Sequence, residues 1–197
     1  MDRIAVDVVL LPDTAVTELA VRLNRALIRE YESAIVLDAE ACLPHVSLAM
    51  GSISENAVKA VAERLRMLAQ RSPVSTLDIT GIAVTTNSVG QKVSSFAIKK
   101  TNDLQALHEA VMRDVGTLLS YDVDATMIYD GVAAETTLEW IRDYAEKAAY
   151  DHFFPHITLG YGQASTAMTF PIPFPAMRLA LCHLGNHCTC QKVLAIA

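Results

Sequence analysis

The chain contains one short motif twice. Residues 44–48 read PHVSL and residues 155–159 read PHITL, so each copy places a histidine two residues before a hydroxyl side chain. A second copy of such a pattern in a chain of 197 residues is expected by chance with a probability on the order of 10⁻³ or less. The repeat therefore indicates two related positions that act together.

The residue types of the motif suit acid/base chemistry on a phosphodiester. If each copy is a β-strand, His45 and Ser47 point to one face of the first strand, and His156 and Thr158 to one face of the second. A neutral imidazole can take a proton from the attacking water or ribose hydroxyl while an imidazolium gives one to the leaving oxygen. Ser47 and Thr158 would donate hydrogen bonds to the phosphate oxygens. Such a site needs no metal and no cofactor.

These motifs must be positioned by the strands and helices around them. Hydrophobic periodicity predicts strands at 3–11, 43–50, 76–84, 92–99, 153–161, 176–184 and 189–196, with the polar loop 85–90 joining two of them as a hairpin. Amphipathic helices are predicted around 19–30, 54–68, 102–118 and 135–149, the third of them capped by Asn102. The mixture indicates an α+β or α/β class with an internal repeat.

The paired motifs resemble the signature of the two-histidine phosphoesterases, the group that includes 2'-5' RNA ligases and 2',3'-cyclic nucleotide phosphodiesterases. The matching positions are HVSL at 45–48 and HITL at 156–159, and the order of the hairpin at 76–99, the helix at 103–119 and the strands from 176 is also similar. The resemblance implies an α+β fold that is bilobal and internally duplicated. Residues 1–197 would form one domain of antiparallel-rich sheets with helices outside and a central cleft, each lobe contributing one His-x-Ser/Thr strand.

The resemblance also implies roles for individual residues. His45 and His156 would be the catalytic pair, and Ser47 and Thr158 would hold the phosphate. The chain departs from the family in lacking the arginine that many members carry soon after the second motif, and in the longer segment 126–149, which we expect to be a lid or a substrate-specific insert. The alternative for the two histidines is a buried pair that only satisfies backbone groups.

Two aromatic residues beside the second motif are candidates for stacking on a nucleobase. These are Phe154 and Tyr161, and ordinary core packing is the alternative for each. Strand alternation places them on opposite faces unless the strand has ended by Gly160, so we expect only one of them to meet the substrate.

The run CHLGNHCTC at 182–190 raises the possibility of zinc binding, because thiolates and imidazoles are the usual zinc ligands. Its spacing does not match a common zinc motif, and its flanks indicate two strands joined by a turn, so we predict no metal site. The four cysteines also do not form a spaced disulfide framework. A reducing cytoplasm is therefore the expected location.

The composition limits the classes of partner that the protein is expected to bind. With 16 Lys and Arg against 22 Asp and Glu, the formal charge is −6, which disfavours binding of long duplex nucleic acid. No window is a 20-residue apolar span, and the first ten residues are not expected to be a secretory signal, so no membrane partner is expected. We predict a monomer that opens 2',3'-cyclic phosphates of nucleotides or short RNA ends. The alternatives are a non-catalytic nucleotide-binding module and a 2'-5' RNA ligase-like RNA-processing protein.

Overall fold

A computed structural model describes residues 2–71, 76–165 and 167–197. Four α-helices and eight strands are found in these residues. The strands are β1 (Arg3–Pro12), β2 (Val46–Ser54), β3 (Leu77–Thr86), β4 (Lys92–Ile98), β5 (His156–Tyr161), β6 (Ile172–Phe174), β7 (Ala176–Leu184) and β8 (Cys190–Ile196). The helices are α1 (Thr14–Tyr31), α2 (Val58–Arg71), α3 (Asn102–Val115) and α4 (Glu135–Lys147).

The strands form two antiparallel sheets of four strands each, so the fold class is α+β. The first sheet has the order β2-β1-β7-β8 and the second has the order β5-β4-β3-β6. The two strands that carry the repeated motif, β2 and β5, are each at the edge of their sheet, and they pack against each other. The two motifs are therefore brought together where the sheets meet.

Each helix buries an apolar stripe, as its periodicity predicts. Asp13 caps α1 by accepting a hydrogen bond from the Val16 amide at 3.0 Å. The cap of α3 is Thr101, whose hydroxyl accepts from the Leu104 amide at 3.2 Å, and not Asn102 as the sequence suggested. Both residue types are good N-caps, and the helix begins one residue earlier because Thr101 is the residue with extended backbone.

The helices that follow β1 and β4 cross to the opposite sheet. Helix α1 follows β1 but packs on β5, and α3 follows β4 but packs on β2. Helix α4 also packs on β2, burying Leu138, Ile141 and Tyr144. The segment 126–149, predicted as a lid or an insert, therefore contributes to the core that supports the first motif.

Two features were missing from the sequence expectations. The segment 171–175, which contains three prolines, includes the short strand β6, and this strand tolerates Pro173 because it lies at a sheet edge. A disulfide joins Cys182 of β7 to Cys190 of β8, which the cysteine spacing did not indicate. None of the helices in the described ranges combines the length and the apolar character that crossing a membrane requires.

Candidate functional site

The two motif histidines are held in the same way. The Nδ1 atom of His45 lies 2.7 Å from the carbonyl oxygen of Leu43, and that of His156 lies 2.8 Å from the carbonyl oxygen of Phe154. A carbonyl only accepts, so in both rings Nδ1 carries the proton and donates it. Each Nε2 atom is therefore the one available to take or give a proton.

The two imidazoles also influence each other. The pKa of His45 is lowered to about 4, mainly by burial and in smaller part by a positive charge on His156, while the hydrogen bond to the Leu43 carbonyl opposes the shift. Burial lowers the pKa of His156 as well. The rings are thus close enough to interact electrostatically, and both are neutral in the free protein near neutral pH.

The alternation predicted within each motif is confirmed. Val46 and Leu48 are buried, as are Ile157 and Leu159, whereas the histidines, Ser47 and Thr158 keep partial exposure. The Ser47 and Thr158 hydroxyls therefore lie on the same side of their strands as the imidazoles. Each motif thus presents its histidine and its hydroxyl residue on the partly exposed side of its chain segment, and the strands β2 and β5 are in contact.

Both motif strands contain a β-bulge at the same place. In the β1–β2 pair, Val9 is opposite Ser47 and Val8 is opposite Ala49, so Leu48 has no partner. In the β4–β5 pair, Leu159 is left without a partner in the same way, between Thr158 and Gly160. A bulge bends the strand and turns the following side chains. Each motif is therefore followed by the same local distortion.

The carbonyl of each bulged leucine is bound by a side chain from a helix. His108 of α3 donates through Nδ1 to the Leu48 carbonyl at 2.8 Å, and Asn24 of α1 donates to the Leu159 carbonyl at 2.7 Å. Both polar side chains are fully buried. His108 is thus a structural residue, in agreement with the packing role that its place in a helix suggests.

Asp7 belongs to the site although the motifs did not reveal it. It lies in β1 with no exposed surface, and its Oδ2 atom is 2.6 Å from Ser47 Oγ and 3.7 Å from His45 Nε2. Burial raises the pKa of the Asp7 carboxyl well above its ordinary value, and hydrogen bonds from Ser47 and the Ala49 amide oppose this only in part. The available signal was an acid within an otherwise apolar predicted strand.

Tyr161 lies on the side of β5 that was not expected from simple alternation. It is opposite Val93 of β4, and Thr158 is opposite Ser95, two residues away on the same face. The bulge at Leu159 supplies the extra residue that brings Tyr161 back to the face of Thr158. Phe154 lies before the first residue of β5, so the alternation that was expected to place it opposite Tyr161 does not extend to it.

The surroundings of the two aromatic residues differ. The Phe154 ring is 57% exposed and lies 5.9 Å from the His156 ring, centroid to centroid. The Tyr161 hydroxyl is 2.9 Å from Nδ1 of His187, and its side chain lines a cavity of about 300 Å³. The other residues of this cavity are Tyr31, Gln91, Lys92, Gly162 and Gln163.

The Cys/His run forms a turn against the site. Cys182 and Cys190 are joined to each other, and the partly buried Cys188 lies near enough to Asp7 for that carboxyl to raise the pKa of its thiol, desolvation being the larger cause. Within the described ranges, no group of three or more His, Cys, Asp and Glu side chains could hold a metal ion. The turn thus packs between Asp7 and Tyr161, the latter through His187.

The chain matches no protein-family model, and no curated protein sequence is similar to it.

Proposed function

We propose that this protein is a metal-independent phosphodiesterase that opens 2',3'-cyclic phosphates of nucleotides or short RNA ends by paired-histidine acid/base catalysis. The observation that carries the proposal is that two neighbouring imidazoles are oriented by the same hydrogen bond. In each, Nδ1 donates to the carbonyl oxygen of the residue two positions earlier. His108, by contrast, has both ring nitrogens engaged in hydrogen bonds. His45 and His156 keep Nε2 for a ligand.

The two imidazoles take different roles. Burial lowers the pKa of both imidazoles, and a charge on one disfavours a charge on the other, so only one of them is protonated at a time; in the proposed mechanism this is His156. His45 takes a proton from a water molecule while the oxygen of that water attacks phosphorus. The His156 imidazolium gives its proton to the departing ribose oxygen. The products are a phosphomonoester and a free ribose hydroxyl. Ser47 and Thr158 donate hydrogen bonds to the non-bridging oxygens.

The arrangement of the chain supports a duplicated, bilobal fold of the two-histidine phosphoesterase type. The segments β1–α1–β2 and β4–α3–β5 each pair two antiparallel strands and send the helix to the opposite sheet. In each segment the residue directly after the motif hydroxyl, Leu48 or Leu159, is bulged. Its carbonyl oxygen accepts a hydrogen bond from a helix side chain of the other segment. The resemblance of the motifs to that family points the same way.

The substrate is expected to be small. The formal charge of −6 offers no broad surface for a long polyanion, whereas the cavity beside Tyr161 has room for a base or a second nucleotide. Tyr161 and Phe154 are the residues we expect to contact it. The proposal includes a monomer in the cytoplasm, but the Cys182–Cys190 disulfide contradicts the cysteine argument on which the expectation of a reducing compartment rested.

The test is hydrolysis of 2',3'-cyclic mononucleotides by purified protein in EDTA. His45→Ala and His156→Ala should each lower kcat about 10²-fold or more, whereas the control His152→Ala, on an exposed histidine near the second motif, should change it less than about twofold. Because burial lowers both imidazole pKa values, kcat/KM should be bell-shaped in pH with an optimum below the ordinary imidazole pKa of about 6.5.

A substrate with an activated leaving group tests the assigned roles. A nitrophenyl phosphodiester needs no proton on its leaving oxygen, so the loss in His156→Ala should shrink while that in His45→Ala persists. Wild-type turnover by either alanine variant on cyclic nucleotides would refute the paired mechanism. Nucleotide binding without turnover would favour the binding module.

A further inference from the structure

Asp7 is an unusual residue for its position. The strand β1 reads RIAVDVVLLP, and nine of its ten residues are buried. An acid in such a strand does not contribute to apolar packing, and its Oδ1 atom has no hydrogen-bond partner among the described residues. Because burying an unsatisfied polar group destabilises a protein, the side chain calls for a functional explanation.

The groups around Asp7 supply no permanent positive charge. His45 and Ser47 face it from the first motif, Tyr144 from α4, Cys188 from the turn before β8, and the disulfide-bonded Cys182 from the opposite position on β7. No lysine or arginine of the described ranges forms an ion pair with it. The surroundings thus favour the neutral carboxylic acid.

The protonation of Asp7 decides what Ser47 can offer a ligand. A serine hydroxyl has one proton. A carboxylate at 2.6 Å would take that hydrogen bond and leave only lone pairs for the substrate, which repel a phosphate oxygen. A carboxylic acid can instead donate to Ser47 Oγ, and the Ser47 proton is then free.

We propose that Asp7 is a positioning residue whose protonated carboxyl donates a hydrogen bond to Ser47 and thereby directs the Ser47 proton to an anionic oxygen of the ligand. This rests on the proposed function, which places a phosphate at the site. The second motif has no counterpart, because the position in β4 that corresponds to Asp7 through the bulged register is Val93. Only the first hydroxyl is held in this way.

The first measurement does not depend on the activity. The carboxyl carbon of Asp7, followed by ¹³C NMR between pH 5 and 8, should keep the chemical shift of a protonated acid at neutral pH. A carboxylate shift at pH 6 would overturn the proposal even if the protein hydrolyses cyclic phosphates.

The second measurement is the binding of inorganic sulfate, whose charge is constant over this pH range. Binding is followed by the NMR resonances of the His45 and His156 rings. Asp7→Leu should weaken binding about three- to tenfold, the value of one hydrogen bond, and Asp7→Asn, whose amide also donates, should restore it to within about twofold of wild type. The effect of Asp7→Leu should vanish in a Ser47→Ala background and persist in a Thr158→Val background. Melting temperatures confirm that each variant is folded.

The opposing idea is that Asp7 is a carboxylate that stabilises the His45 imidazolium. It predicts that Asp7→Asn binds sulfate as poorly as Asp7→Leu and lowers the His45 pKa by more than one unit, and either result would overturn the proposal. If wild-type protein neither binds sulfate at these histidines nor hydrolyses cyclic nucleotides, the proposed function fails and this inference fails with it. If it does both but Asn does not restore binding, only the role of Asp7 is wrong.

Discussion

Asn24 offers a sharp test of how the second motif is held in place. Its side chain donates to the carbonyls of Ile35 at 2.8 Å and Leu159 at 2.7 Å, and accepts from the Leu37 amide at 2.9 Å. All three bonds are buried. One side chain thus joins α1, the loop that leads to the first motif, and the bulge of β5.

Replacing Asn24 by leucine keeps the size of the side chain and removes all three bonds. The Leu159 carbonyl and the Leu37 amide lose their side-chain partner, whereas the Ile35 carbonyl keeps a long hydrogen bond from Ser33 at 3.4 Å. Each buried backbone group left unsatisfied costs about 1–3 kcal/mol, so we expect the free energy of unfolding to fall by at least about 2 kcal/mol. For a chain of 197 residues this corresponds to a fall in Tm of at least about 4–8 °C. Urea denaturation followed by circular dichroism measures the change directly.

The matched control is Arg25→Leu, at the next and exposed position of the same helix. Arginine and leucine have similar helix propensities, so this variant should stay within about 0.5 kcal/mol of wild type. A loss below about 1 kcal/mol in Asn24→Leu would refute the reasoning, because it would show that the Leu159 carbonyl and the Leu37 amide find other partners.

Two further predictions concern the neighbourhood of the site. A Cβ atom on Gly162, which has φ +107°, would collide with the Tyr31 ring, whereas Gly90, with φ +83°, has open space around it. The free energy of unfolding should therefore fall by at least about 1 kcal/mol more in Gly162→Ala than in the control Gly90→Ala. Equal losses for the two variants in urea denaturation would contradict this. The second prediction follows from the raised pKa of Asp7, which means that the folded state binds the carboxyl proton more tightly than the unfolded state does. The stabilisation from this proton is complete below the ordinary carboxyl pKa of about 3.9. It is lost by at most about 1.4 kcal/mol per pH unit as the pH rises towards the pKa of the folded state. The free energy of unfolding of Asp7→Asn should therefore rise relative to that of the wild type between pH 4 and 6, as measured by urea denaturation. A difference between the two proteins that does not change with pH would contradict the raised pKa.

Local periodicity was sufficient to predict most of the elements and the burial of the motif residues. Alternation placed Val46 and Ile157 in the core correctly, because the period of two holds within each short strand. It failed at Tyr161, because a bulge adds one residue to the strand and shifts every later side chain to the other face. Nothing in the local sequence specifies that bulge; the buried Asn24 that binds its carbonyl comes from a helix 135 residues earlier.

Contacts distant in sequence account for the other omissions. Asp7 meets Ser47 across 40 residues of sequence, through the pairing of β1 with β2. The Cys182–Cys190 bond likewise depends on the β7–β8 register, which contains two irregularities. Such partners follow from sheet order and register, and a pattern read along one segment does not contain them.

The two motifs are nearly identical in sequence, but their surroundings differ. A pair of imidazoles in equal surroundings would share one proton equally, and neither would be a dedicated acid or base. Here the motifs are alike, but the neighbouring strand contributes Asp7 on one side and Val93 on the other. In the proposed mechanism, a neutral Asp7 adds no more charge beside His45 than Val93 adds at the second motif, so Asp7 does not decide which imidazole is protonated. Burial is the main cause that lowers the pKa of His45 to about 4 and keeps it a base. Asp7 instead makes the two hydroxyls unequal, because only Ser47 has a carboxyl beside it.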